Sequence, residues 1–354
     1  MGPVVDGPRA GAAVPGTLGG MPPLPALISL APHRSLLPLG SRSRRLGLCP
    51  DRGLVVDDLD PPLALMLDEL DSPVGPAALL DRAERRGADR AAAVELLEVL
   101  LAHGAVVDAA AARRVTGRRA HHVVLVVGDG PLAAGVVTGL ARAGVGSVHV
   151  EAGGTVGSAD LGTGLIEADR GVRRERAVAR AAARLVPGTV VTAAPQRLAP
   201  DLVVLADAQA VPPQREQRLL GDGVAHLAVR LRDGVGVVGP LVLPGRSACL
   251  RCLDLHRAAR EPGWPGVATQ LVGATGRADP ACVAATAALG TAQALAALDD
   301  TAAPAVLDAT VEIDVTAATL ATRRWSRHPD CTCGGPRHPP ATCGAGPARG
   351  RLEP

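Results

Sequence analysis

The residue pattern predicts an α/β protein: a mostly parallel sheet with helices on both faces, preceded by a small winged-helix-like module. Three observations carry this. A run of valine and leucine at Val123–Val127 leads directly into a glycine turn, a helix over Leu132–Arg142 and a second strand at Ser147–Val150. Strand and helix patterns then alternate to about residue 320, the mark of crossover units and so of parallel pairing. Ahead of them, residues 25–108 hold short strand patterns and three helical stretches.

Composition narrows the function classes. A chain of 354 residues that is 47% hydrophobic has room for two domains and their cores. A net charge of +2 gives no general attraction to nucleic acid or anionic membranes. The chain has no Lys, so Schiff-base chemistry and a phosphate-loop lysine are excluded. It has no Tyr or Phe and only two tryptophans, Trp264 and Trp325, so base-stacking platforms are excluded and the core must be Val, Leu and Ala. No apolar run reaches the length of a membrane span and the N-terminus lacks the pattern of a secretory signal, so a cytoplasmic protein without a membrane partner is expected. Seven cysteines, six of them after residue 248, fit metal or reactive thiols better than a disulfide framework.

Residues 1–24 and 336–354 read as disordered tails rich in Gly, Pro and Ala. In the module at 25–108, strands are expected at Ser35–Leu39, Leu46–Cys49 and Gly53–Val56. The first helix opens at Asp60-Pro61, an N-cap with proline at the first helical position, and turns Leu63, Met66, Leu67 and Leu70 inward. A second runs over Gly75–Arg86, and a third over Asp89–His103 with Val94, Leu97 and Leu101 inward. Residues 51–108 carry 13 Asp/Glu against 5 Arg, a surface that repels phosphate despite the winged-helix pattern. A peptide added as a strand to the module's sheet is the expected partner, with a structural cap on the next domain as the alternative. A linker, Ala109–Ala120, leads to the larger domain at 121–335.

There, Gly128, Gly130 and Ala133 match a G-x-G-x-x-G/A turn, and Glu151 lies 21 residues after Gly130. Such a turn sets backbone N–H groups and a helix N-terminus against a phosphate, while the acid reaches a ribose hydroxyl. A Rossmann-like nucleotide fold is therefore expected, although the glycines also serve helix–sheet packing and Pro131 removes one N–H. Later elements are a helix at Arg173–Leu185, strands at Thr189–Ala193 and Asp201–Leu205, and a strand pair at Ala225–Arg232 and Gly234–Leu243. A long helix follows from Asp279-Pro280 to about Leu298, and closing strands lie at Val306–Ile313 and Val315–Leu320. Asp207, at a strand end, is placed to bind a metal or to cap the next helix.

Cys249-x-x-Cys252 and Cys331-x-Cys333, separated by 78 residues, supply the four soft ligands of a closed, structural zinc site. His328, His338 and Cys343 are close enough in sequence to replace one ligand. Cys282 opens a helix, where a thiol is activated as a nucleophile or simply buried.

The segments VVLVVGDGPLAAGVVTGLARAGVGSVHVE and GPLVLPGRSACLRCLDLH, with the late cysteine pair, resemble the ThiF/MoeB/ubiquitin-activating superfamily over about residues 121–335. Within it, Gly-Pro-x-x-x-Pro-Gly before Cys-Leu-Arg-Cys and the small N-terminal module are similar to actinobacterial proteins of thiazole/oxazole-modified microcin biosynthesis. Those proteins bind a precursor's leader peptide through a PqqD-like module and partner a cyclodehydratase. The resemblance implies a ThiF fold, homodimers, and ATP with Mg²⁺ used to adenylate a C-terminal carboxylate. It places Gly128 and Gly130 at the phosphates, Glu151 at the ribose, Arg174 where a lysine contacts phosphate, and Asp207 at Mg²⁺. The chain departs from the pattern in three places. Its turn reads Gly-Asp-Gly-Pro-Leu-Ala, Asp160-Leu161-Gly162-Thr163 replaces the Asn-Leu-x-Arg segment, and Asp207 falls one position short. Losing several transition-state cations together points to a scaffold that presents a precursor peptide to a partner cyclodehydratase. The alternatives are an active adenylating enzyme, and a nicotinamide-dependent oxidoreductase that leaves the cysteine pairs unexplained.

Overall fold

The computed structural model describes residues 4–6, 24–195 and 197–334, and the chain divides into two compact units between Val115 and Thr116. Apart from Val4–Asp6 and Leu24, the two expected tails lie outside the described residues, as do His338 and Cys343.

The first unit comprises β1 (Val4–Asp6), β2 (Ile28–Leu30), β3 (Leu36–Pro38), β4 (Arg44–Leu46) and β5 (Leu54–Asp57), then α1 (Pro61–Asp68), α2 (Pro76–Arg85), α3 (Arg90–Ala102), β6 (Val106–Asp108) and the start of α4 (Ala109–Arg119). Four strands pair antiparallel in the order β1-β5-β4-β3, and β2 pairs with β6 as a separate ribbon. Ile28, Leu46, Val56, Leu63, Met66, Leu67, Leu70, Leu79 and Leu97 form the core. Several local expectations are corrected. The strand expected at Leu46–Cys49 is Arg44–Leu46, because Gly47 turns the chain at φ +90° and leaves Leu48 in solvent. α3 buries Ala93, Leu96, Leu97 and Leu100, while Val94 and Leu101 are only half-buried, since its inner face is set by packing on α2 and β6. Asp60 makes no side-chain cap, whereas Asp89 accepts the Ala92 N–H at 2.8 Å. The expected linker is helical: Asp108 accepts the Ala111 N–H at 2.9 Å and an alanine run follows. Within the expected N-terminal tail, Val4–Asp6 adds antiparallel to β5, with Val5 opposite Val56.

The second unit contains β7 (Val123–Val127), α5 (Pro131–Arg142), β8 (Ser147–Glu151), α6 (Arg174–Leu185), β9 (Val191–Ala193), β10 (Leu202–Ala206), α7 (Pro213–Gly221), β11 (His226–Arg232) and β12 (Val235–Val242). It continues with α8 (Leu250–Arg260), α9 (Trp264–Leu271), α10 (Pro280–Asp299), β13 (Ala309–Asp314) and β14 (Thr319–Arg324). They build one eight-stranded sheet, β14-β13-β12-β11-β10-β7-β8-β9. The five strands from β9 to β11 are parallel and the last three antiparallel. Strand order reverses between β7, β8 and β10, and the crevice at such a switch point is where open α/β sheets bind ligands. α5, α6 and α10 cover one face through Val124, Val126, Val148, Val178 and Val283. The other face is covered by Leu250 and Leu253 of α8 and by Trp325, which follows β14, against Val203, Leu205 and Ala228.

The pattern reading found neither α7, with its polar sequence, nor α8 and α9. It also set the last strands too early, because residues 315–318 form a turn with Ala318 at φ +52°. Contrary to the sequence expectation, α10 is long and apolar enough to cross a membrane by length and composition. That apolar character is mostly alanine, and α10 packs against α5, β11 and β12. The close approach depends on Gly139: a Cβ there would stand 2.6 Å from Thr291 Oγ1. Gly139→Val is expected to cost about 1–3 kcal/mol by overpacking, seen as a fall of several degrees in Tm by circular dichroism.

Candidate functional site

The glycine turn closes on a side chain of its own chain. β7 ends at Val127 and α5 begins at Pro131, so the N–H groups of the first helical turn are left without intrahelical partners. The Asp207 carboxylate, from the end of β10, fills that position. Its Oδ2 accepts from Gly130 N–H at 3.0 Å and Ala133 N–H at 3.1 Å, and its Oδ1 from Leu132 N–H at 2.9 Å. A Cβ on Gly128 or Gly130 would stand 2.6 or 2.7 Å from those oxygens. The two glycines therefore admit the carboxylate. Asp207 itself sits at φ +67° and is 2% exposed. Burial raises its pKa to about 6, outweighing the three N–H donors that pull it down.

The neighbouring charges are also paired within the chain. Glu151 forms a fork with Arg215, one arm at 3.1 Å. Arg174 donates to the buried Asp160 at 3.0 and 3.2 Å and to the Gly153 carbonyl at 2.8 Å. Asp129 accepts the Gly153 N–H at 2.5 Å, and Thr163 Oγ1 donates to the Pro131 carbonyl at 2.7 Å. Gly128, Gly130 and Ala133 thus meet at one turn with Asp207, Glu151 is turned to Arg215, and Arg174 to Asp160. Asp160 was noted from sequence only as a departure from the Asn-Leu-x-Arg segment, not as the partner of Arg174, and Arg215 was not singled out. Arg215 lies on α7, which the pattern did not reveal.

The four cysteines converge. Cys249 Sγ lies 3.7 Å from Cys252 Sγ and 3.6 Å from Cys331 Sγ, Cys252 Sγ lies 3.5 Å from Cys333 Sγ, and all four sulfurs fall within 4.8 Å of one another. Four sulfurs at about 2.3 Å around a tetrahedral ion stand about 3.8 Å apart, so the set can hold a metal ion. Asp308 joins the two halves, accepting the Ala248 N–H at 2.6 Å through Oδ1 and the Trp325 N–H at 2.9 Å through its carbonyl. Buried Glu216 accepts the Arg251 N–H at 2.9 Å, capping the helix on which Cys252 sits. His328 is outside the ligand set: its ring packs edge-on to His256 and accepts the Asp330 N–H. Cys282 is buried between α10 and β13, 3.9 Å from Thr286 Oγ1 and from the Ile313 carbonyl, with no base beside it among the described residues.

A mostly parallel sheet with a glycine turn at its switch point, an antiparallel extension and helices on both faces make up a ThiF-like α/β fold. By sequence, the chain matches no protein-family model and none of the curated proteins. By structure it is similar to E. coli MccB. The complex of MccB with MccA-N7isoASN superposes at a TM-score of 0.68 with 14% identity, covering 87% of this chain and all of that one. MccB with ATP gives the same figures. The microcin C7 biosynthetic enzyme MccB in complex with N-formylated MccA gives 0.67 at 14% identity over the same shares. The likeness establishes the fold.

Two outcomes follow. Asp207 binds a proton more tightly folded than unfolded, so it stabilises the fold increasingly as pH falls from about 6 towards about 4, by about 3 kcal/mol in all. Denaturant unfolding at pH 7 and pH 4.5 should show the wild type gaining stability relative to Asp207→Asn on acidification. A metal ion held by the four cysteines would stabilise this unit, so stripping it with a chelator, or Cys252→Ser, should cost at least about 3 kcal/mol, a drop of roughly 6–12 °C in Tm for a unit of this size.

Proposed function

We propose that this protein is a ThiF-fold scaffold that binds a ribosomal precursor peptide through its first unit and presents it to a partner cyclodehydratase, with a structural zinc on Cys249, Cys252, Cys331 and Cys333. The observation that carries the scaffold reading is Asp207. The helix N-terminus that would receive a nucleotide phosphate already bears a buried carboxylate on three N–H groups. A phosphate in the same place would meet both steric overlap and like charge. Glu151 and Arg174, the ribose and phosphate candidates, are engaged by Arg215 and Asp160.

Peptide binding is supported by the first unit's sheet and by the fold. β5 takes Val4–Asp6 as an added antiparallel strand, the geometry by which an extended peptide gains affinity from main-chain hydrogen bonds. At the other edge, β3 is bordered by exposed Leu37 and Leu39. The unit's arginines are largely consumed internally, Arg44 by Asp68 and Arg82 and Arg86 by Glu69, which leaves an acidic surface suited to a basic or apolar peptide. MccB, which has the same fold, was solved in complex with N-formylated MccA. Homodimers in the cytoplasm complete the proposal. The second reading, ATP-dependent adenylation of a peptide carboxylate with Mg²⁺ at Asp207, is favoured by the structure of MccB with ATP.

Calorimetric titration of the intact chain with a candidate precursor peptide is expected to give saturable heat that ATP does not change. Deleting residues 1–23 should tighten binding severalfold by freeing the β5 edge. Peptide-dependent ATP–pyrophosphate exchange should be at background. Exchange above background selects adenylation, and absence of heat with the full-length peptide removes the scaffold reading.

A further inference from the structure

On the sheet face that carries α8, away from the glycine turn, a group of arginines gathers around both tryptophans of the chain. Arg257 lies 4.8 Å above the Trp264 ring and 5.9 Å from Trp325, with Arg260 and Arg323 at 5.4 and 5.9 Å from Trp325. Arg230, on β11, is 8% exposed, yet among the described residues its side chain has no ion pair and no hydrogen bond. The Arg257 side chain likewise has only its stacking contacts. The carboxylates nearby are committed elsewhere: Glu312 bridges Arg232 at 3.0 Å and Arg323 at 3.5 Å, and Asp254 accepts the Trp264 Nε1–H at 3.0 Å. Five guanidiniums thus face two carboxylates.

The Arg230 guanidinium nitrogens keep a narrow access to solvent, since none of them is a buried unpartnered atom, and a little-hydrated guanidinium with five donors and no protein acceptor is open to an incoming anion. Burial, reinforced by Arg257 and Arg232, pushes the Arg230 pKa down to about 10, and Arg257 is lowered by burial and by Arg232.

We propose that Arg230 and Arg257 form a carboxylate-binding site, with Arg232 and Arg323 supplying surrounding charge and the two tryptophans its walls. The guanidinium fork matches a carboxylate, and Glu312 shows this group of arginines already engaging one. A phosphate dianion is disfavoured, because Arg257 and Arg260 lie in the last turn of α8, at the negative end of its dipole, with no free N–H groups offered. The site does not depend on peptide binding by the first unit or on the state of the glycine turn, so either reading can fail without the other.

The chain has two tryptophans and both lie against these arginines. Titration of the intact protein with glutarate at fixed ionic strength should change tryptophan emission saturably, while equal chloride does not. A short alanine peptide with a free C-terminus, compared with its C-terminal amide, distinguishes a peptide end from a free diacid as the source of the carboxylate. Arg230→Gln should weaken binding of the active probe at least tenfold. Arg257→Gln, on the half-exposed helix, should weaken it comparably and serves if the first variant fails to fold. The proposal is overturned if neither carboxylate probe gives a saturable change, if inorganic phosphate binds more tightly than both, or if a folded variant binds as the wild type does.

Discussion

The Asp207 carboxylate seated on the first turn of α5 is the contact on which the second unit's architecture turns. It links the end of β10 to the turn after β7, the two strands between which the sheet reverses order. It requires an absent Cβ at Gly128 and at Gly130, and a left-handed backbone at Asp207 itself. A carboxylate at a helix N-terminus is favourable because it satisfies orphan donors and meets the positive end of the dipole. Burial works against it, and the result is an acid that titrates near neutrality in the place where a ligand anion would otherwise bind. The interaction that closes the turn also fills it.

The opposite face is organised by sulfur. Asp308 draws the segments before Cys249 and before Cys331 together, Glu216 caps α8, and the four thiols meet at its N-terminus. A metal held there would anchor one end of α8, and a turn and a half further along the same helix Arg257 is set over Trp264. Because α8 is short and its first turn carries two of the four converging cysteines, the cysteine group and the helix's arginines sit on one element.

Much of this was readable in advance where the signal is local. Val123–Val127, the glycine turn and α5 follow from a run of apolar residues broken by glycine, and the cysteine spacing pointed to a four-cysteine group that could hold a metal. The module's first helix placed Leu63, Met66, Leu67 and Leu70 correctly inward. Elsewhere the local signal misled. Arginine and alanine between 109 and 120 read as a linker but form α4, because alanine favours helix whenever a cap such as Asp108 is present. α7 and α8 were missed because their polar faces mask the apolar period. Asp60 looked like a cap, yet its side chain makes no capping hydrogen bond and faces Arg42 instead.

Order along the chain, apolar periodicity, the absence of lysine and the two cysteine pairs already specified an α/β sheet, its crossover helices and a metal-ligand set, because each depends on residues adjacent or at regular intervals. Pairings over long separations belong to the folded chain alone. Asp207 reaches Gly130 across 77 residues, Arg215 reaches Glu151 across 64, and Arg230 is left without a carboxylate. Charge partners are chosen by burial and by which strand ends the sheet brings side by side, and neither quantity exists until the sheet has formed.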